Sequence, residues 1–139
     1  MDNSTTYQIE IPASTSNLAD VRKFVGVHAT GFGFKENEVE EIKLAVDEAL
    51  TNVIKHAYKF DDSKTIYISV GLQGREFWVA IQDTGAPFEP QNYTEPNIPE
   101  RVKKGLKGGV GVYLIKRLVD KVEYNKKNQH NEIKLIKKL

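Results

Sequence analysis

The sequence predicts an α+β fold: a two-layer sandwich with helices packed on one face of a mixed β-sheet, built as a single domain over residues 1–139. Three observations predict it. Two long segments place apolar residues at helical spacing, and several short segments alternate apolar and polar residues at strand spacing. The segments follow one another as strand, helix, helix, two strands, a long connection, helix, two strands. A chain of 139 residues, 40% hydrophobic and 28% charged, is large enough for one continuous core.

Tyr7, Ile9 and Ile11 alternate with polar residues and read as a short strand stopped by Pro12. Asn17 or Ser16 can cap a first helix through Leu18, Val21, Phe24, Val25 and Val27, which the glycines of TGFGF end. A second helix is predicted from near Asn37 to about Tyr58. Its stripe of Val39, Ile42, Val46, Ala49, Leu50, Val53 and Ala57 follows the three-and-four spacing of a core-facing surface. TIYISVGL and EFWVAIQD, separated by a QGR turn, read as a hairpin of two central strands. From Ala86 to Gly108 the periodicity is lost and four prolines appear, at 87, 90, 96 and 99, the composition of a functional lid. A glycine-led helix, KGGVGVYLIKRLVD, comes next, and VEYNKK and EIKLIKK close the chain as two strands around NQHN.

No apolar run approaches the ~18 residues of a membrane helix, and MDNSTTYQIEIP has no signal-peptide pattern, so a soluble cytoplasmic protein is expected. The absence of cysteine excludes disulfides and thiolate metal sites. The net charge of +1 conceals an uneven distribution. Residues 1–100 carry 8 Lys and Arg against 16 Asp and Glu, whereas residues 101–139 carry 12 against 3. Lys126, Lys127, Lys137 and Lys138 fit a solvated basic face, while Lys103, Lys104 and Lys107 precede a loop able to receive an anion. A nucleic-acid surface is not expected, because Tyr113 and Tyr124 alone make no aromatic platform in the basic tail.

Three groups of residues can carry chemistry. Glu48 and Asn52 lie four apart on the second helix and therefore share a face, which Lys55, His56 and Lys59 continue. By itself that spacing also describes a solvated face with ordinary side-chain pairing. Asp83, at a strand end before Thr84 and Gly85, fits a turn as well as it fits an acceptor for an exocyclic amine. Gly108, Gly109 and Gly111 at a helix start fit phosphate binding through free N–H groups, and also fit a plain glycine-rich helix start.

In this order, EALTNVIKHAY, DTGAPF and GGVGVYLIKRLVD resemble the N, G1 and G2 boxes of the GHKL ATPase superfamily. Within it the chain most resembles the stand-alone anti-sigma-factor serine/threonine kinases of bacterial partner-switching systems. The resemblance covers nearly the whole chain and implies the Bergerat ATP-binding fold, with ATP or ADP and Mg²⁺ as ligands. It implies that Asn52 holds Mg²⁺ through its amide oxygen, that Glu48 is the general base and that Lys55 steadies phosphate charge. It further implies that Asp83 accepts from the adenine amine, that Gly85 lets the base approach and that Gly108, Gly109 and Gly111 present N–H groups to the phosphates. His56 reads as structural, and His28 and His130 resemble no phospho-accepting segment.

The implied activity is phosphorylation of a Ser or Thr on a small antagonist protein, alternating with sequestration of a sigma factor. The implied assembly is a homodimer, with Arg22 on the first helix a candidate partner contact. A nucleotide-gated regulator of a phosphatase or other partner, without kinase activity, is the alternative. One departure stands out. Many such kinases carry Gly-Thr before the last strand, where the threonine helps to bind adenine, whereas here the turn reads Asn128-Gln129-His130-Asn131. Either that contact is lost or an asparagine supplies it.

Overall fold

The first strand, β1 (Thr5–Pro12), ends at a proline that has no N–H to offer a ladder. In the computed structural model, which describes residues 5–58, 61–84, 115–127 and 130–139, it leads into a 3₁₀ turn, Thr15–Asn17. The Ser14 hydroxyl accepts from the Ser16 N–H at 3.3 Å and opens this turn, so capping occurs ahead of the position expected from sequence. Asn17 occupies the N-cap position of α1 (Leu18–Phe32) without a side-chain bond to it. Gly33 ends α1 with a φ of 118°, a left-handed conformation that glycine adopts without a Cβ penalty.

Helix α2 (Glu36–Asn52) begins with Glu38 accepting from the Lys35 N–H at 3.1 Å. Glu36 and Glu38 complement the partial positive charge of its first turn. The predicted stripe is buried at Val39, Ile42, Val46, Ala49, Leu50 and Val53. The helix does not run on as α to Tyr58, however. Val53–Ala57 forms a π turn, closed by the Tyr58 N–H donating to the Val53 carbonyl at 3.0 Å. On α1, Val21 and Val25 are buried but Val27 is 62% exposed, because a residue two positions beyond Val25 falls off the same stripe.

Strands β2 (Thr65–Gln73), β3 (Glu76–Asp83), β4 (Lys121–Lys127) and β5 (His130–Lys138) complete a five-stranded sheet in the order β1-β2-β3-β5-β4. The two-layer α+β arrangement is as expected, and β2 and β3 are central strands. The sheet is not mixed: every pairing among the described residues is antiparallel. Two helices, rather than one, separate β1 from β2, so the chain returns to the end of the sheet where β1 stopped. There the Ala13 N–H meets the Lys64 carbonyl at 2.9 Å. β4 runs in the direction of β3, but β5 lies between them and pairs antiparallel to both.

The inner face of the sheet presents Ile66, Ile68, Val70, Phe77, Val79, Ile81 and Leu135 to the helices, all buried. Each contributes about 1.5–3 kcal/mol of burial relative to exposure. Ile115, in the helical segment 115–118, and Val119 join the same core. On the outer face Trp78 lies across Gly71, its cross-strand partner, so closely that a Cβ at Gly71 would fall 2.0 Å from the indole. The Lys134 ammonium stands 4.7 Å from that ring, within cation–π range.

Lys137 departs from the solvated reading of the terminal lysines. It shares the inner register of Leu135 and its side chain is only 14% exposed. Its ammonium donates to the Leu118 carbonyl at 3.2 Å and lies 3.7 Å from Glu41 of α2. It thereby caps the helical segment that precedes β4.

Candidate functional site

The last two turns of α2 bring Glu48 and Asn52 to one half-buried face, as their four-residue spacing requires. The π turn begins at the next residue and leaves Lys55 exposed. It interrupts the regular face that was expected to run on from Asn52, since an added residue per turn rotates every later side chain about the axis. The His56 side chain and the whole of Lys59 lie outside the described residues, as do Gly85, Gly108, Gly109 and Gly111.

Asp83 closes β3 on the inner, helix-facing side of the sheet. It is 5% exposed, the only polar or charged residue buried to this degree among the described residues. A carboxylate there requires hydrogen-bond donors to offset its desolvation. Asn131, directly opposite in the β3–β5 register, donates from Nδ2 to Asp83 Oδ1 at 3.1 Å. Asn131, the last residue of the NQHN segment, thus stands in β5 and bonds to Asp83 itself. Asn128 and Gln129 lie outside the described residues.

Beside Asp83 is a second polar junction that sequence reasoning did not assign. The Tyr58 O–H donates to the Thr65 carbonyl at 3.0 Å, and the Thr84 N–H donates to the Tyr58 oxygen at 2.7 Å. The Thr84 hydroxyl is 3.2 Å away. The end of the α2 helical segment, the start of β2 and the end of β3 thus meet at one phenolic oxygen. Only the position of Tyr58, at the close of a polar helix face, hinted at this.

Arg22, expected as a partner contact, is engaged within the chain: Nη1 donates to Asp47 Oδ2 at 2.8 Å, joining α1 to α2 next to Glu48. Asp47 Oδ1 is buried without a hydrogen-bond partner among the described residues. His28 packs against rings, stacked on Tyr7 at 4.1 Å and edge-on to Phe24 at 4.9 Å.

Chemically, Asp83 is a buried acceptor at the end of β3, and Glu48 and Asn52 set a carboxylate and an amide oxygen on one face of α2. Among the described residues no three His, Cys, Asp or Glu side chains gather as a metal site. One amide oxygen from Asn52 is nevertheless a fitting contribution toward Mg²⁺, which commonly takes one or two protein oxygens and completes its shell with phosphate and water. Asp83 fits an exocyclic amine, since an ionised carboxylate only accepts.

Residues 11–137 match the model of the histidine kinase-like ATPase domain. The chain belongs to the histidine kinase-like ATPase family. Among curated members of related sequence, this family member shares 32% identity with the Serine-protein kinase RsbW of Oceanobacillus iheyensis over 142 residues, spanning 99% of this chain and 89% of that protein. It shares 30% identity with the Serine-protein kinase RsbW of Bacillus thuringiensis over 127 residues, spanning 88% of this chain and 79% of the relative. A crystal structure of the RsbU and RsbW domains of a Mycobacterium tuberculosis protein superposes with a TM-score of 0.68 at 16% identity. That alignment covers 97% of this chain and 32% of the longer one, and it supports the fold. The GHKL resemblance drawn from the three motifs is thereby borne out at the level of family and fold. No helix among the described residues is long and apolar enough to cross a membrane.

Proposed function

We propose that this histidine kinase-like ATPase domain is an ATP-dependent serine/threonine protein kinase and anti-sigma factor of a bacterial partner-switching system. Its protein substrate is a small anti-sigma-factor antagonist. The observation that carries the reading is the presence of Glu48 one helical turn before Asn52, in a chain that aligns over 99% of its length with a Serine-protein kinase RsbW.

Glu48 takes the proton of the substrate Ser or Thr hydroxyl as that oxygen attacks the γ-phosphorus of ATP, and ADP leaves with the β–γ bridging oxygen. Asn52 offers its amide oxygen to Mg²⁺, which when bound neutralises phosphate charge. Asp83 accepts from the adenine amine, held by Asn131, and Gly85 gives the base room to approach. Lys55 steadies phosphate charge from the exposed side of the π turn. Gly108, Gly109 and Gly111 present N–H groups to the phosphates. The partners in this reading are a sigma factor, the antagonist and a second copy of the chain, all in the cytoplasm.

The test is transfer of labelled γ-phosphate from Mg·ATP to a cognate antagonist, compared between wild type and Glu48→Gln. The variant is expected to lose roughly 10²–10⁴-fold in transfer rate while still binding nucleotide. Undiminished transfer would remove Glu48 from its role. Wild-type ATP binding with no transfer to any antagonist would instead favour a nucleotide-gated regulator without kinase activity.

A further inference from the structure

We infer that Tyr58 is a positioning residue for base recognition: its hydroxyl fixes the strand end that carries Asp83 against the helix that carries Glu48 and Asn52. The inference rests on the reading of Asp83 as the adenine acceptor and adds to it the device that sets where that acceptor stands.

Tyr58 is 6% exposed, so its ring belongs to the core, and phenylalanine would serve the packing alone. The hydroxyl is what needs explanation. A phenol offers one proton and two lone pairs. The proton goes to the Thr65 carbonyl at 3.0 Å, and the Thr84 N–H takes one lone pair at 2.7 Å. With the proton committed, the 3.2 Å contact to Thr84 Oγ1 must run from the threonine hydroxyl to the second lone pair. Every hydrogen-bonding capacity of the oxygen is then used, two of the three on the residue that follows Asp83.

The π turn closes on Tyr58 itself, through the bond from its N–H to the Val53 carbonyl at 3.0 Å, so backbone and hydroxyl are both engaged. Asp83 is consequently held from two directions. Asn131 orients its carboxylate across the β3–β5 ladder at 3.1 Å, and Tyr58 anchors its backbone through Thr84. Since hydrogen-bond strength falls steeply with distance and angle, a carboxylate that must meet one amine gains from this double restraint.

The experiment compares Mg·ATP and Mg·GTP affinities by titration calorimetry in the full chain, for wild type, Tyr58→Phe and Thr84→Ala. Guanine carries a carbonyl where adenine carries the amine, so the ratio of the two affinities reads the Asp83 contact, which general destabilisation does not alter. Tyr58→Phe is expected to weaken ATP roughly three- to tenfold with GTP unchanged, and to leave the saturated transfer rate within about twofold. Thr84→Ala, which keeps the buried phenol and removes one partner, is expected to lower the ratio about two- to threefold and reports even if Tyr58→Phe does not fold. Phe34→Leu, in the core at the opposite end of the sheet, is the control that lowers stability without moving the ratio.

An unchanged ratio in the Tyr58 and Thr84 variants overturns the inference. If Asp83→Asn abolishes the discrimination that those two variants retain, the reading of Asp83 survives and only the positioning role falls. A wild-type chain that does not favour ATP over GTP overturns both.

Discussion

The two ends of the sheet are built on different physics. At the hairpin end, Phe34 and Phe77 meet edge to face at 5.8 Å, and Phe32 lies 5.8 Å from Phe34 and 6.3 Å from Phe77. Arg75 and Leu139 close that end with reciprocal bonds, the Leu139 N–H to the Arg75 carbonyl at 2.8 Å and Arg75 Nη2 to the Leu139 carbonyl at 3.0 Å. At the other end, beside buried Ile11 and Ile66, stand Asp83 and Tyr58, tied to Asn131, Thr84 and Thr65 by directional bonds. Burial of rings is non-directional and tolerates small shifts; hydrogen bonds to a buried carboxylate and phenol do not. The hairpin end supplies stability, and the Asp83 end supplies placement at a smaller net stabilisation per contact.

Three substitutions can break or sharpen this contrast. The largest effect on stability is expected from Phe77→Ala, which opens a cavity in the aromatic end and should cost about 3–5 kcal/mol in chemical denaturation. Nucleotide discrimination in the folded fraction should survive it. A discrimination that collapses in step with stability would mean that the two ends are not separable.

Asn131→Ala is next. Loss of one donor from a 5% exposed carboxylate should cost about 1–3 kcal/mol, and here ATP affinity should fall together with denaturation midpoint. A variant that loses stability and keeps full ATP affinity would make Asn131 a structural partner of Asp83 alone.

The smallest effect belongs to Asp61, in the turn before β2 near the polar end. Its carboxylate accepts from the Ser63 hydroxyl at 2.6 Å and the Ser63 N–H at 3.1 Å, and these bonds hold its pKa below the ordinary value. A depressed folded-state pKa means that this contribution is present above the unfolded value and is lost as pH falls through the folded one. Ser63→Ala should raise the Asp61 pKa toward its ordinary value in an NMR titration, with stability at neutral pH hardly changed because the group is fully exposed.

The contrast between the ends also explains which features could be read from sequence. Repetition carried the helices: Val39, Ile42, Val46, Ala49, Leu50 and Val53 declare a buried stripe because six residues agree on one period. Alternation carried β2 and β3 in the same way. Strand direction had no such signal, since alternation does not say which strands pair across the sheet, and the expected mixed sheet is antiparallel throughout its described pairings. In the candidate site, the shared face of Glu48 and Asn52 was legible because both lie on one helix at a fixed spacing. The bonds of Tyr58 to Thr65 and Thr84 and of Asn131 to Asp83 join residues 7, 26 and 48 positions apart, and no local pattern announces them. The π turn was equally silent, because VIKHA satisfies the same apolar spacing as an ordinary helix end.

Trp78, lying across Gly71 beneath the Lys134 ammonium, is the chain's single tryptophan. Its intrinsic emission therefore originates wholly from the layer that faces away from the helices, on the opposite side of the sheet from Asp83. In spectroscopic terms the native chain carries a built-in reporter of whatever docks on that outer surface, with Asp83 on the reverse side.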